Sequence, residues 1–308
     1  MKATAELDLK ILSDLYKYRT LSLQQLKKLY FTNSDHYVYR KLSILYKNGL
    51  VDRERIIDIN TGRKNGSSYY ITQKGIDLLN DHQLLEHNQP YSPRKAKNIR
   101  LQPYVLALNE LYVQLDLWKW KDGREVKREF GFNNNAQVGG ALIDPQGNTR
   151  FVYLIGRERK SKSINPDREK RYIEVQSKRI QMINNEIQVH NLKNVIILIR
   201  NPELYKVFYD LYSQTPYECW LFPYKTGINI LKSYESPLSK LSNNKNQLFH
   251  EINGINVLDL YTADIQRLKN AQRQDQPFQI YTHPELVQAI RLLVGPNVTI
   301  TSNHNDLL

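Results

Sequence analysis

The residues with the clearest chemical potential lie in one short basic stretch, Ser34-Asp35-His36-Tyr37-Val38-Tyr39-Arg40-Lys41, with Lys47 following. An arginine guanidinium offers two parallel N–H donors, which match the O6 and N7 acceptors on a guanine edge. His and Tyr can each exchange a single hydrogen bond with a base. A Lys ammonium suits a phosphate oxygen. A second group follows in Asn60-Thr61-Gly62-Arg63-Lys64-Asn65-Gly66, where turn-forming residues carry adjacent cations.

Those side chains need elements to present them. Leu7, Leu9, Ile11, Leu12 and Leu15 recur at helical spacing, which predicts a helix over 5–18. Thr20 or Ser22 can cap a second helix from Leu23 to Tyr30. Ser34 is placed to cap a third, over 35–48, whose buried stripe is Val38, Leu42 and Leu45. Asn48-Gly49 supplies a left-handed stop. The period then changes to two, with strands predicted from Leu50 to Ile59 and from Ser67 to Thr72. Thr72 caps a short helix, Gln73 to Leu79. Three helices followed by a hairpin with a basic tip form the pattern of a winged helix-turn-helix, expected over 1–82. In that fold the third helix enters the major groove and the wing meets the minor groove. Asp35, His36, Tyr37, Arg40 and Lys41 point outward on this reading. Arg40 is expected to pair with a guanine, His36 and Tyr37 to read one base each, and Lys41 and Lys47 to meet phosphates. Arg63, Lys64 and Asn65 are expected at the minor groove. With the capping Ser34 they form the expected DNA contact set.

Composition supports that partner. Lys and Arg number 44 against 31 for Asp and Glu, a net charge of +13 over 308 residues. An excess of that sign draws the chain to phosphates or to an anionic membrane surface. No apolar run reaches the roughly 18 residues needed to span a bilayer, and the N-terminus shows no apolar signal core. A cytoplasmic protein is therefore expected, with double-stranded DNA as partner and no membrane. The single Cys219 excludes an intramolecular disulfide and a multi-cysteine zinc site, and is expected to fill core. No Gly-rich phosphate loop and no paired-histidine metal site is found, so no cofactor or metal is expected.

Residues 83–103 hold Pro90, Pro93 and Pro103 among basic residues and predict a linker. An amphipathic helix is expected from Tyr104 to Trp120, with Val105, Leu108, Tyr112, Leu115 and Trp118 on one side. It could pack on the sheet that follows or pair with a second copy to make a homodimer. Strands are predicted at Glu125–Phe130, Ala141–Asp144, Arg150–Ile155, Val195–Ile199, Cys219–Phe222 and Ile228–Leu231. Helices are predicted over 167–189 and 203–214. The result is an α/β mixed-sheet domain over 104–235, so the whole chain is of α+β or α/β class. A C-terminal extension of unassigned role, 236–308, includes a predicted helix at Pro284–Val294 and a strand at Val298–Thr301.

The layout resembles the replication-relaxation family of mobile-element proteins of Gram-positive bacteria. The resemblance is carried by the winged-helix pattern, by Tyr104-Val105-Leu106-Ala107-Leu108-Asn109-Glu110-Leu111-Tyr112, and by Ala141-Leu142-Ile143 with Phe151-Val152-Tyr153-Leu154-Ile155. It covers about residues 5–225 and implies a DNA-binding protein of a plasmid, phage or conjugative element, active in replication, transfer or transcription control, alongside replication or transfer proteins. It also implies a restriction-endonuclease-like fold for the second half. In such folds acids at the ends of adjacent strands and a nearby Lys hold Mg²⁺. Here Gly139-Gly140 stands where a Pro-Asp pair is expected, and Leu154 and Gly156 stand where acids are expected. Only Asp144 and Glu158 remain nearby. A nuclease-like scaffold without catalysis is therefore expected. A metal-dependent nuclease using Asp144, Glu158 and Lys160 stays open as one alternative, and a protein-interaction adaptor as another.

Overall fold

In the computed structural model the described residues are 6–31, 35–57, 64–85, 102–156, 166–212, 218–232, 235–240, 247–274 and 276–303. The chain divides into two compact units, Met1–Gln114 and Leu115–Leu308.

In the first unit the apolar stripes read from the sequence are buried. Helices α1 (Glu6–Tyr18), α2 (Leu23–Tyr30) and α3 (Asp35–Lys47) meet through Ile11, Leu12, Leu15, Leu26, Val38, Leu42 and Leu45, all essentially inaccessible. Ser22 caps α2 in a reciprocal box with Gln25, each side chain bonded to the other's backbone N–H. Thr20, the other candidate cap, donates instead to the Tyr69 carbonyl at 3.1 Å. Strands β2 (Val51–Ile57) and β3 (Lys64–Ile71) form an antiparallel pair, and α4 (Gln73–Asp81) follows, capped by Thr72. A two-residue strand, β1 (Leu21–Ser22), completes a sheet of order β1-β3-β2.

The helix expected over 104–120 is shorter and belongs to the first unit. It runs from Gln102 to Gln114 as α5. Its polar side chains turn inward. Asn109 donates to the carbonyls of Tyr18 and Thr20 at 3.0 and 2.7 Å, and Gln25 donates to the Leu106 carbonyl at 2.8 Å. Gln102 bonds Ser68, which is fully buried. Tyr112 stacks on Tyr18, with centroids 4.1 Å apart, and donates to Asp14 at 2.8 Å. Burial raises the Asp14 pKa despite the phenol donors, and burial raises the Tyr112 phenol as well. Tyr112 is thus a partner of α1 and not part of an open pairing seam. Residues 86–101, most of the expected linker, lie outside the described residues.

The second unit is built on a five-stranded sheet, β4-β5-β6-β7-β8. Strands β4 (Lys119–Asp122), β5 (Gly140–Ile143) and β6 (Thr149–Ile155) are antiparallel, and β6, β7 (Asn194–Ile199) and β8 (Glu218–Pro223) are parallel. Near-continuous apolar runs in β6 and β7 are buried throughout, as parallel central strands require. The crossovers carry α7 (Pro166–Val189) and α8 (Glu203–Leu211). Two expected strands are helices. Gly123–Glu129 is α6, started by Asp122, whose carboxylate accepts from the Arg124 and Glu125 N–H groups at 2.6 and 3.0 Å. Tyr224–Leu231 is α9, and a Cβ on its Gly227 would lie 2.6 Å from Phe222 Cβ. Conversely, the end of the expected long helix passes through a turn, closed by the Trp118 N–H on the Leu115 carbonyl, into strand β4, which opens with exposed Lys119 and buried Trp120.

The C-terminal residues add a four-stranded sheet, β12-β11-β10-β9. The hairpin of β9 (Phe249–Ile252) and β10 (Ile255–Asp259) turns at Asn253-Gly254, both with positive φ. Helix α10 (Ile265–Arg273) leads to β11 (Gln279–Tyr281), then α11 (Val287–Arg291) and β12 (Ile300–Thr301). Asp264 joins this block to β8. It caps α10 through the Gln266 N–H and accepts the Cys219 N–H at 3.2 Å, while the Ala263 carbonyl takes the Leu221 N–H. Cys219 is buried, as expected for a core filler.

Two outcomes follow. Asn109→Ala removes both bonds that fix α5 to the turn before β1 and should cost about 1–3 kcal/mol in urea unfolding. Wild-type stability in that variant would show that apolar contact alone holds the helix. Burial, reinforced by the charge of Glu218, pushes the Asp264 carboxyl up to about 7 from an ordinary value of 3.8. The folded chain therefore holds this proton more tightly than the unfolded chain does. Its stabilising contribution is complete below the ordinary value and is lost as pH rises through the folded one. Comparing wild type with Asp264→Asn in thermal melts across that window should show a falling contribution in wild type alone.

Candidate nucleic-acid interface

The third helix leaves a wide outer face. With about 100° per residue, His36, Arg40, Ser43 and Lys47 fall in one stripe opposite Val38, Leu42 and Leu45. All four are exposed, whereas the opposite three are 1% exposed. Tyr39 and Tyr46 flank the stripe on one side, and Tyr37 and Ile44 on the other; these are 57, 43, 48 and 44% exposed. That is an unusual amount of uncovered apolar surface for a 13-residue helix. Tyr37 packs edge-on to Phe31 at 5.6 Å.

The end of α3 is held by backbone geometry. Gly49 has φ +69, its N–H bonds the Tyr46 carbonyl, and the Leu50 N–H bonds the Leu45 carbonyl. This is the left-handed stop that Asn48-Gly49 predicts. Thr72 then donates its hydroxyl to the Gly49 carbonyl at 2.6 Å and accepts from the Gly75 N–H at 3.2 Å. One side chain thereby joins the stop of α3, the base of the β2–β3 hairpin and the start of α4.

Strand β2 supplies cations that the sequence reading does not include. Arg53 and Arg55 are exposed and two residues apart, so they share one face of the strand. The Arg53 guanidinium lies 4.9 Å from the Tyr46 ring centroid, which sets it beside α3. The signal was present in the alternation Val51-Asp52-Arg53-Glu54-Arg55. The interleaved carboxylates hide it in a count of charge, yet Asp52 faces the other way and accepts from the Tyr70 hydroxyl at 2.6 Å.

The remaining expected residues divide as follows. His36, Tyr37, Arg40 and Lys47 are brought together on the exposed face of α3. Lys41 is not among them. Its Nζ lies 2.6 Å from Asp8 Oδ1 of α1, with the two side chains only 12 and 14% exposed. Position 41 borders the buried stripe, so a long side chain there lies along the core's edge. Lys64 and Asn65 open strand β3. Ser34 and Arg63 lie outside the described residues, as do the rest of the expected wing tip, 58–63, and the side chains of Lys64 and Asn65.

The alternative metal centre is not assembled among the described residues. Asp144 is 6% exposed and closes the turn between β5 and β6, accepting from the Asn148 backbone N–H at 2.7 Å and its side-chain amide at 2.9 Å. Glu174 pairs with Lys178 at 3.1 Å along the exposed side of α7. Glu158 and Lys160 lie outside the described residues. Among the described residues no group of three or more His, Cys, Asp or Glu could hold a metal ion, and no helix is long and apolar enough to cross a membrane.

The model of the replication-relaxation family matches residues 12–175, more than half of the chain. No curated protein and no solved structure matches it.

The Lys41–Asp8 pair has a measurable consequence. Lys41→Ala leaves a largely buried carboxylate without its cation and should destabilise the first unit by about 1–3 kcal/mol. Asp8→Ala in the same chain should recover part of that loss. Unchanged melting together with a flatter salt dependence of DNA binding would instead return Lys41 to the phosphate-contacting set.

Proposed function

The chain belongs to the replication-relaxation family, and we propose that it binds specific duplex DNA through its first unit, read as a winged helix. The observation that carries this reading is the exposed stripe His36, Arg40, Ser43 and Lys47 on α3, beside Arg53 and Arg55 on the adjoining strand. The helix is narrow enough to enter a major groove, and its stripe combines one bidentate donor with smaller polar groups. The strand arginines would then track the phosphates at the groove edge, and the wing with Arg63, Lys64 and Asn65 would meet the minor groove. A net charge of +13 supports the long-range attraction. Lys41 holds the helix in place on this reading and does not touch DNA.

The family's name supports DNA replication as the setting of this binding, and the resemblance suggests plasmids, phages and conjugative elements and transfer or transcription control. The second unit acts on this reading as a scaffold for self-association or for replication and transfer proteins. The carboxylate of Asp144 is already committed to a turn, which favours a scaffold over a nuclease. The protein acts in the cytoplasm, on DNA, as a homodimer.

The test is selection of bound duplexes from a random pool at near-physiological salt. An enriched sequence is expected. Arg40→Ala should then cost about 1–3 kcal/mol and relax preference at one base pair. Arg53→Ala and Arg55→Ala should weaken all sequences alike and each lower the salt slope by roughly 0.9. Absence of binding to any duplex would overturn the reading in favour of a protein-interaction adaptor.

A further inference from the structure

The second unit holds an aromatic cleft that the duplex-binding reading does not use. Its volume is about 340 Å³, and it opens at the end of the sheet where β6 and β7 begin. Phe130, Phe132 and Phe151 form its apolar part. Phe130 meets Phe151 nearly perpendicular, at 82° and 5.0 Å, and Phe132 meets it at 60° and 5.8 Å. Gly131, at φ +69, turns the chain so that residues 130 and 132 can both reach Phe151. The His190 ring lies against Phe132, tilted by 33° with centroids 4.1 Å apart. Lys193 and Asn194 complete the rim, with Lys193 exposed.

The local architecture explains why the cleft stays open. Helix α7 ends in a left-handed turn at Asn191, φ 50, where the Leu192 N–H bonds the Ile187 carbonyl. That turn carries His190 and Lys193 to the end of the sheet where β7 begins. Phe130 caps the short helix α6, and its ring remains 39% exposed while Phe132 and Phe151 are 6 and 7% exposed. A phenylalanine left uncovered beside a buried aromatic pair costs hydrophobic free energy, and a planar ligand lying on it would recover that energy.

We propose that this cleft binds a nucleobase of single-stranded DNA, stacked on Phe130, with Lys193 on the neighbouring phosphate. Three features favour that occupant. Aromatic rings accept any base by its π-face. The cation at the rim complements a phosphodiester, in a protein of net charge +13. The amide of Asn194 can exchange hydrogen bonds with a base edge. The cleft is large enough for a base and its sugar but too shallow in cation content to grip a duplex backbone. It would give the protein a hold on an opened strand, separate from the duplex contacts of α3.

The experiment uses the full chain and a fluorescein-labelled oligodeoxyadenylate, read by anisotropy. The wild type should bind it more tightly than an abasic chain of equal length. Phe130→Ala should weaken that binding about tenfold, and Phe130→Trp should restore it with quenching of the new indole. Lys193→Ala should lower the salt slope by roughly 0.7. Duplex binding should be unchanged in all three variants, so loss of the duplex site by Arg40→Ala leaves this test intact. Equal affinity for the base-bearing and abasic chains would overturn the proposal. So would unaltered binding in Phe130→Ala, or full competition by free deoxyadenylate at the oligomer's own concentration, which would make the ligand a mononucleotide.

Discussion

The first unit depends on a small knot of backbone where α3 ends and α4 begins. The Gly49 carbonyl accepts the Thr72 hydroxyl, and the Leu50 carbonyl accepts the Thr72 N–H. A Cβ on Gly75 would lie 2.4 Å from that same Leu50 oxygen and 2.6 Å from Ile71 Cγ1. Only glycine at 75 lets α4 approach so closely. Here helix, hairpin and following helix are fixed relative to one another by groups with little freedom. The consequence for binding is geometric, because the stripe around Arg40 and the pair Arg53 and Arg55 can act on one ligand only if α3 and β2 keep a constant angle.

A second constraint holds the back of that unit. Apolar contact between helices tolerates sliding, but buried polar bonds do not, since each lost partner leaves a desolvated group. Asn109 and Gln25 impose that penalty on any displacement of α5. Gln25 serves twice, because its carbonyl oxygen caps α2 and its amide donates to Leu106 and Glu110. The helix that binds α5 is thus started by the same side chain that docks it. A long amphipathic helix in the sequence becomes, in the fold, a lock for the unit that precedes it.

The legible parts of the sequence were those where one period ran unbroken. The stripes of α1 and α3, the stop at Gly49, the hairpin and the runs of β6 and β7 all follow from spacing. Harder cases were those where local and tertiary signals diverge. Asn109 looks like a polar break in an apolar face until Tyr18 and Thr20 are seen to offer carbonyls from ninety residues away. Strand β1 is two residues long and exists because β3 lies beside it. Val126 and Phe130 stand four apart, a helical spacing that a run of alternating charges disguised. Asn253-Gly254 was a readable hairpin signal that the polar stretch before it obscured. In the interface, Tyr39, Tyr46 and Arg53 are not legible because exposure and a shared face are not written in residue type, and the Lys41 pairing with Asp8 is hidden because a cation on a helix carries no mark of which edge it borders.

The acids that the resemblance would place at 154 and 156 would find a poor setting in and after β6. Leu154 is wholly buried in a central strand, with Leu198 directly across from it on β7. A carboxylate there would lose its hydration, a cost of several kcal/mol that favours the neutral form. Gly156 sits at φ +76, where side chains are strained, and a Cβ would press on Leu204 at 2.9 Å and on the Tyr172 hydroxyl at 3.2 Å. Side chains of α7 and α8 thus border the space into which a residue at 156 would project. An acid at 156 would therefore have to displace those side-chain ends and adopt a strained backbone. On the proposed reading the second unit is a scaffold, and exposed Phe130, beside the opposite end of β6, marks the part of that sheet shaped to hold a ligand.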